Sequence, residues 1–142
     1  MIVERRSGTT MQWIRGIPPS MSLGQEGEKV AEAYLLTRGY RILDRNWAAY
    51  NKGGKQIGEL DIVAMSKSGI CIVEVKAGKS ADPAYRPELH MSDAKMVKIE
   101  RAARMWLQKN KQLDKPWQID LVAVDFSKEP ATIRHYCHAK HE

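Results

Sequence analysis

Residues 58–78, which read GELDIVAMSKSGICIVEVKAG, decide the fold of this chain. Two runs rich in valine and isoleucine flank the turn-forming stretch 66–69, and such runs are typical of β-strands. The pattern predicts strands over 56–65 and 69–77 that pair as an antiparallel hairpin. Charged residues interrupt both apolar runs: Glu59 and Asp61 in the first, Glu74 and Lys76 in the second.

The register of this hairpin determines which charges meet. A register that closes the turn places Asp61 opposite Glu74, with Cβ atoms about 4.5–5.5 Å apart. Two carboxylates at this distance repel and raise each other's pKa in a half-buried site, and a divalent cation between them would remove the conflict. Mg²⁺ suits such oxygen ligands. The same register pairs Glu59 with Lys76. The alternative is a solvated sheet face on which Lys76 bridges all three acids.

The rest of the chain predicts an α/β domain with the order α-β-β-β-α-β-β, one mixed sheet and helices on its faces. Ser22 can cap a first amphipathic helix that ends at Gly39, and a second helix runs from about Ser92 to Lys109. The remaining strands are 40–47, 117–125 and 131–136, and 78–91 is expected to be a loop.

The length of 142 residues fits a single domain. We expect residues 1–21 to form a flexible leader, with Met21 as an alternative start, residues 22–137 to form the domain and 138–142 a tail. Neither a membrane span nor a secretory signal is visible. With Cys71 in a predicted core strand, this favours a reducing, cytoplasmic setting without a membrane partner.

The charge of the chain is +6 and is unevenly distributed. Residues 92–115 hold seven basic and three acidic side chains, so the second predicted helix is strongly basic. A one-sided basic patch is typical of a protein that binds a polyanion, although a solvated helix face gives the same pattern. The candidates for nucleic-acid contact on this helix are Lys95, Lys98 and Arg101.

The C-terminal segment contains His135, Cys137, His138 and His141. Imidazole and thiolate are zinc ligands, but this spacing matches no closed zinc motif. Because chain ends are often unstructured, we expect a frayed tail.

The pattern Asp61…Glu74-Val75-Lys76 resembles the D…ExK core of the PD-(D/E)xK nuclease superfamily, which includes restriction endonucleases and archaeal Holliday-junction resolvases. A wider resemblance spans residues 22–125 and is to the YraN-type family of predicted endonucleases. Five blocks carry it, in this order: LGQEGEKVAEAYLLTRGYRILDRN, GELDIVA, IVEVKAG, KMVKIERAARMWL and QIDLVAV. The resemblance implies a restriction-endonuclease-like fold.

The resemblance also implies a metal-dependent endonuclease that acts on DNA, with branched, structured or single-stranded DNA as expected substrates in repair or recombination. Asp61 and Glu74 would bind Mg²⁺ or Mn²⁺, and Lys76 would be the catalytic lysine. Glu28 matches an acid of the first helix that reaches the same site. Glu59 could supply a further carboxylate or hold Lys76.

The resemblance extends to phosphate contacts and partners. Lys95 matches a family lysine at the start of the second helix, where it could touch phosphate. The chain departs from the family after Lys76, where Ala77 and Gly78 precede Lys79, so the basic contact expected there falls to Lys79. Resolvase-like relatives form dimers, which makes a homodimer an expected state. The alternative function is a non-catalytic nucleic-acid-binding accessory protein on the same fold.

Overall fold

One mixed sheet forms the centre of the protein in a computed structural model that describes residues 2–5 and 21–139. Its strands are β1 (Ile2–Arg5), β2 (Arg41–Tyr50), β3 (Gln56–Ser66), β4 (Gly69–Gly78), β5 (Trp117–Asp125) and β6 (Thr132–Tyr136). Their order in the sheet is β1-β6-β5-β4-β3-β2. The pairs β4–β5 and β1–β6 are parallel, and the other three pairs are antiparallel.

The predicted α/β class, with one mixed sheet between helices, is confirmed. The sheet has one strand more than the sequence predicted, because β1 adds an edge strand beside β6. A short 3-10 helix, Pro87–His90, lies within the predicted loop 78–91. Residues 1, 6–20 and 140–142 lie outside the described residues, so the leader and the tail otherwise stay predictions.

The two helices are α1 (Leu23–Thr37) and α2 (Asp93–Lys109), and each begins at a serine cap. Ser22 Oγ accepts a hydrogen bond from the backbone N–H of Gln25 at 3.1 Å, and Gln25 Oε1 accepts one from the backbone N–H of Ser22 at 3.1 Å. This reciprocal pair satisfies two backbone donors that the first turn leaves unpaired. Within the described ranges, no helix is both long and apolar enough to cross a membrane.

Each helix covers one face of the sheet. The core under α1 includes Val30, Tyr34, Leu35, Val73, Val122 and Ile133. The core under α2 includes Leu60, Ile72, Ile99, Trp106, Leu107 and Ile119. Alternation along β4 sends Cys71, Val73 and Val75 toward α1 and the intervening residues toward α2, so the central strand serves both cores.

Two glycines allow the helices to approach the central strands closely. A Cβ atom on Gly27 of α1 would lie 2.4 Å from the Cβ atom of Ala77 in β4. A Cβ atom on Gly58 of β3 would lie 3.0 Å from the carbonyl oxygen of Lys98 in α2. Both positions therefore need glycine, and both adjoin residues of the predicted site.

Candidate active site

The β3–β4 ladder ends just before the charged residues of the hairpin. Its register is the predicted one, with Met65 opposite Ile70, and its last pair is Ile62 with Val73. Beyond that pair, Asp61 Oδ2 accepts a hydrogen bond from the backbone N–H of Val75 at 2.9 Å. A side-chain oxygen thus satisfies a strand donor, and the two strands separate around the Asp61 carboxylate.

Asp61 and Glu74 form a close pair of carboxyl groups in this opening. Glu74 is only 4% exposed, and the two carboxyl groups are hydrogen bonded to each other. Burial, followed by the charge of Asp61, raises the pKa of Glu74 to about 8. Burial also raises the pKa of Asp61. Because two adjacent carboxylates cannot both ionise freely, the pair keeps one shared proton near neutral pH.

Two lysines offset part of this negative charge. Lys95 Nζ, at the start of α2, lies 3.7 Å from Glu74 Oε1. Lys76 shares the sheet face of Glu74, and its charge also lowers the pKa of that residue. The predicted role of Lys95 is contact with a phosphate. Its ion-pair partner among the described residues is the carboxylate of Glu74.

The predicted ion pair between Glu59 and Lys76 is wrong: the described residues contain no salt bridge between them. The physical reason is the opening of the hairpin, because Glu59 remains paired with Ala48 of β2 while β4 moves away. Glu59 is exposed, yet its charge raises the pKa of Asp61. It therefore lies near the carboxyl pair without holding the lysine.

Glu28 reaches the site from α1. Its Oε1 accepts a hydrogen bond from Asn46 Nδ2 at 2.5 Å. Burial raises the pKa of Glu28, and the charges of Asp61 and Glu59 raise it further, although the Asn46 bond acts in the opposite direction. The predicted placement of a first-helix acid beside the hairpin acids agrees with this geometry.

Asn46 is a residue that sequence analysis missed. It lies in β2 between the pairs Arg45–Ile62 and Trp47–Leu60, and hence at the level of Asp61. Its φ of 47° is in the left-handed region, which asparagine tolerates better than most residues. An asparagine within a predicted strand was the only signal in the sequence that this position is unusual. The direction of its side chain could not be predicted, because it depends on the left-handed backbone angle.

A groove of about 450 Å³ leads to Asp61 from the α1 side. Glu28, Asn46 and Asp61 lie along it together with the basic residues Lys29 and Arg45. The Arg45 guanidinium binds both carboxylate oxygens of Glu32, with Nε at 2.9 Å from Oε2. Asp61 and Glu28 thus line a common groove, whereas Glu74 stays buried behind Asp61.

The remaining predicted nucleic-acid contacts stand outside this cluster. Lys98 and Arg101 are exposed on α2, and Lys79 is exposed just after β4. Lys95 and Lys98 are three residues apart and therefore neighbours on the helix surface. The structure thus brings together the five predicted catalytic residues and Lys95, and places the other three basic residues on the surface.

This donor set could hold a hard divalent cation. Carboxylate oxygens are the ligands that Mg²⁺ and Mn²⁺ prefer, and the proton shared by Asp61 and Glu74 marks a position where positive charge is needed. Glu28 and Glu59 add negative charge from two further elements. Such an arrangement is typical of metal-assisted phosphate chemistry.

The chain is similar to a group of bacterial proteins. The model of the uncharacterised protein family UPF0102 matches residues 27–124. A UPF0102 protein of Geobacter metallireducens is 37% identical over 114 residues, which is 80% of this chain and 88% of the relative. One from Thermodesulfovibrio yellowstonii is 35% identical over 108 residues, covering 76% and 89%.

A UPF0102 protein of Oleidesulfovibrio alaskensis is 36% identical over 124 residues, which is 87% of this chain. The chain spans about half of that longer relative, 54% of its length. The family match covers every predicted site residue, from Glu28 on α1 to Arg101 on α2. The chain belongs to the UPF0102 family.

Proposed function

We propose that this protein is a metal-dependent endonuclease of the PD-(D/E)xK type that acts on DNA. One observation carries the proposal: the backbone N–H of Val75 holds Asp61 at 2.9 Å, so that Asp61 lies beside Glu74 where the β3–β4 pairing ends, and Lys76 follows on the same face as Glu74. A hairpin with a merely solvated face needs no such contact, because its backbone groups pair along the ladder.

The residues fit a divalent cation, Mg²⁺ or Mn²⁺. Asp61 and Glu74 would hold it, because a buried carboxyl pair with raised pKa values gains most from exchanging its proton for a cation. When bound, the cation would supply charge stabilisation to the phosphate and lower the pKa of water. Glu28 and its partner Asn46 line the groove that leads to Asp61.

The protein's own groups supply the remaining steps. Lys76 can orient the attacking water or donate a hydrogen bond to a phosphate oxygen as negative charge grows on it. Lys95 balances Glu74 at 3.7 Å and is free to turn toward phosphate once a cation takes over that role. Exposed Lys98 and Arg101 extend this positive surface along α2 and would bind the DNA backbone.

Cleavage of single-stranded, duplex, flap and four-way-junction DNA tests the proposal, with Mg²⁺, Mn²⁺ or EDTA present. Wild type is compared with Asp61→Ala and Lys76→Ala, and with Asp114→Ala and Lys67→Ala as exposed controls of the same charge. We expect metal-dependent cutting that both site substitutions abolish and both controls retain. The preferred substrate in this panel would identify the DNA structure on which the enzyme acts.

The opposite result would favour the non-catalytic alternative. Tight, salt-sensitive binding without cutting, unchanged by Lys76→Ala, would make the protein a nucleic-acid-binding accessory. Against that reading stands the carboxyl pair, since a pure binder gains nothing from acids that repel phosphate. The homodimer and the cytoplasmic location stay predictions, which sizing of the purified protein and localisation of a tagged chain would test.

A further inference from the structure

A second cluster of metal-ligating side chains lies on the α1 face of the sheet, apart from the carboxyl pair. Asp120 of β5, His135 of β6 and Cys137 each direct one ligand atom into it, and these atoms lie within 4.8 Å of one another. Asp120 and His135 are 0% and 2% exposed. The prediction of a frayed tail is therefore wrong for His135, which is a buried residue of β6.

His135 is fixed on both ring nitrogens. Its Nε2 lies 2.7 Å from Asp120 Oδ2 and 3.7 Å from Cys137 Sγ. Its Nδ1 lies 2.7 Å from the hydroxyl oxygen of Tyr34 on α1. A histidine whose second nitrogen is held in this way is oriented as metal-binding histidines are.

Cys71 of β4 lies next to Asp120 but is not one of the three residues whose ligand atoms converge within 4.8 Å. Its side chain is 2% exposed. The described chain thus directs one carboxylate oxygen, one imidazole nitrogen and one thiol sulfur toward a common point.

We propose that Asp120, His135 and Cys137 form a site for Zn²⁺, with water in the fourth position of a tetrahedron. With metal–ligand distances of about 2.0–2.3 Å, the ligand atoms of a tetrahedron are separated by roughly 3.3–3.8 Å. The Sγ–Nε2 distance of 3.7 Å already meets this requirement. The Nε2–Oδ2 distance of 2.7 Å is that of a hydrogen bond, and it must lengthen as the metal replaces the proton.

The proton balance of this exchange is simple. Asp120 Oδ1 accepts a hydrogen bond from Gln118 Nε2 at 2.8 Å, an arrangement that suits a carboxylate. The His135 proton passes from Nε2 to Nδ1, where it can be donated to the Tyr34 oxygen. The Cys137 thiol loses its proton to solvent. One thiolate and one carboxylate then balance the charge of the dication.

The chemistry of this site separates it from the proposed nuclease site. Thiolate and imidazole select Zn²⁺ over Mg²⁺, whereas carboxylates favour Mg²⁺. His135 points toward α1, where its ring nitrogen contacts Tyr34, whereas Glu74 points toward Lys95 of α2. The zinc proposal therefore does not depend on the nuclease proposal.

Titration of the metal-free full chain with Co²⁺ tests the proposal. We expect one equivalent to produce a thiolate-to-cobalt charge-transfer band with tetrahedral visible bands. One equivalent of Zn²⁺ should remove these bands, and a large excess of Mg²⁺ should not. Zn²⁺ should also raise the midpoint of thermal unfolding, because a ligand of the native state stabilises it.

Two variants identify the ligands. Cys137→Ser, at an exposed position, should fold normally and weaken Co²⁺ binding by at least about 10-fold, since even second-shell losses cost that much. Asp61→Asn, in the carboxyl pair, should leave the bands unchanged. Absence of a charge-transfer band in the wild type, or a band that Cys137→Ser leaves intact, would overturn the proposal. Loss of the charge-transfer band in Asp61→Asn would also overturn it, because Asp61 belongs to the other site.

Discussion

The carboxylate of Asp61 accepts a hydrogen bond at 2.9 Å from the backbone N–H of Val75, the residue between Glu74 and Lys76. This bond ties the two halves of the D…ExK pattern together at a point where the strands no longer pair. A carboxylate that replaces a ladder partner is both a structural and a chemical element of the site.

The carboxyl pair makes the metal-free protein less stable as the pH rises. The pKa of Glu74 is raised to about 8 from an ordinary value of 4.5, so the native state holds a proton that the unfolded chain has lost. The contribution of Glu74 to the free energy of unfolding is therefore fully present below about pH 4.5 and is lost progressively as the pH rises to about 8. In Glu74→Gln the side chain cannot ionise, so this loss does not occur.

We expect Glu74→Gln to unfold at a higher temperature than wild type in EDTA at pH 8, and the difference to shrink toward pH 5. One kcal/mol moves the unfolding midpoint by roughly 2–8 °C in a domain of this size, so the shift is measurable by circular dichroism. Asp114→Asn, at an exposed turn position, should show no such trend. A difference that is constant between pH 5 and pH 8 would contradict the raised pKa.

Glycine at position 27 controls how closely α1 approaches β4. In Gly27→Ala the new Cβ atom would lie 2.4 Å from the Ala77 Cβ atom, so the helix must move away. Overpacking of this kind costs about 1–3 kcal/mol. Because Glu28 is the next residue, the same movement should withdraw it from Asn46 and reduce DNA cleavage.

Gly24→Ala is the matched control, since its Cβ atom would meet only Ser22 Oγ, at 3.9 Å. This substitution should be neutral or stabilising by up to about 1 kcal/mol, because alanine favours the helix. Denaturant unfolding of the two variants beside wild type checks both expectations. Equal stability of the two variants would show that the α1–β4 contact is less tight than described.

The hairpin was predicted correctly, because a four-residue turn allows few registers. Once one pair of opposed residues is fixed, the other pairs follow along the two strands. The same register failed for Glu59 and Lys76, since counting residues cannot show where a ladder opens. That opening depends on a carboxylate competing with a backbone carbonyl for the Val75 N–H.

Contacts between elements that are far apart in the chain could not be predicted from the sequence, because they depend on the three-dimensional fold. Asn46 reaches Glu28 because of one left-handed backbone angle. Tyr34 and His135 meet across 101 residues of separation. Neither contact has a local spacing to reveal it, whereas the α1 cap at Ser22 depends only on neighbours and was predicted correctly.

Asn46 should matter for cleavage through its side chain. Glycine is the informative substitution because it accepts the φ of 47° without strain, while alanine would add a backbone penalty of about 1–2 kcal/mol. Asn46→Gly removes the hydrogen bond to Glu28 and should reduce the rate of cleavage about 10-fold at saturating metal, a loss of about 1.4 kcal/mol of transition-state stabilisation.

The comparison variant is Asn46→Ala, which should cut as slowly as Asn46→Gly and also unfold at a lower temperature. Single-turnover cleavage and thermal unfolding of both proteins separate the two effects. Full activity in Asn46→Gly would show that Glu28 is held adequately by α1 alone.

The basic surface of α2 should determine how DNA binding responds to salt. Each phosphate contact contributes about 0.9 to the slope of log K against log salt. Lys98 and Arg101 are both exposed on α2, so replacing both with alanine should reduce the slope by about 2 and weaken binding alike on every DNA sequence.

Lys67→Ala is the control, because Lys67 is also exposed but lies in the β3–β4 turn, at the far end of the strands from Glu74. Fluorescence anisotropy between low and moderate salt measures both slopes, with EDTA present to prevent cleavage. A control slope that falls as much as that of the double variant would mean that DNA meets the protein by general charge and not along α2.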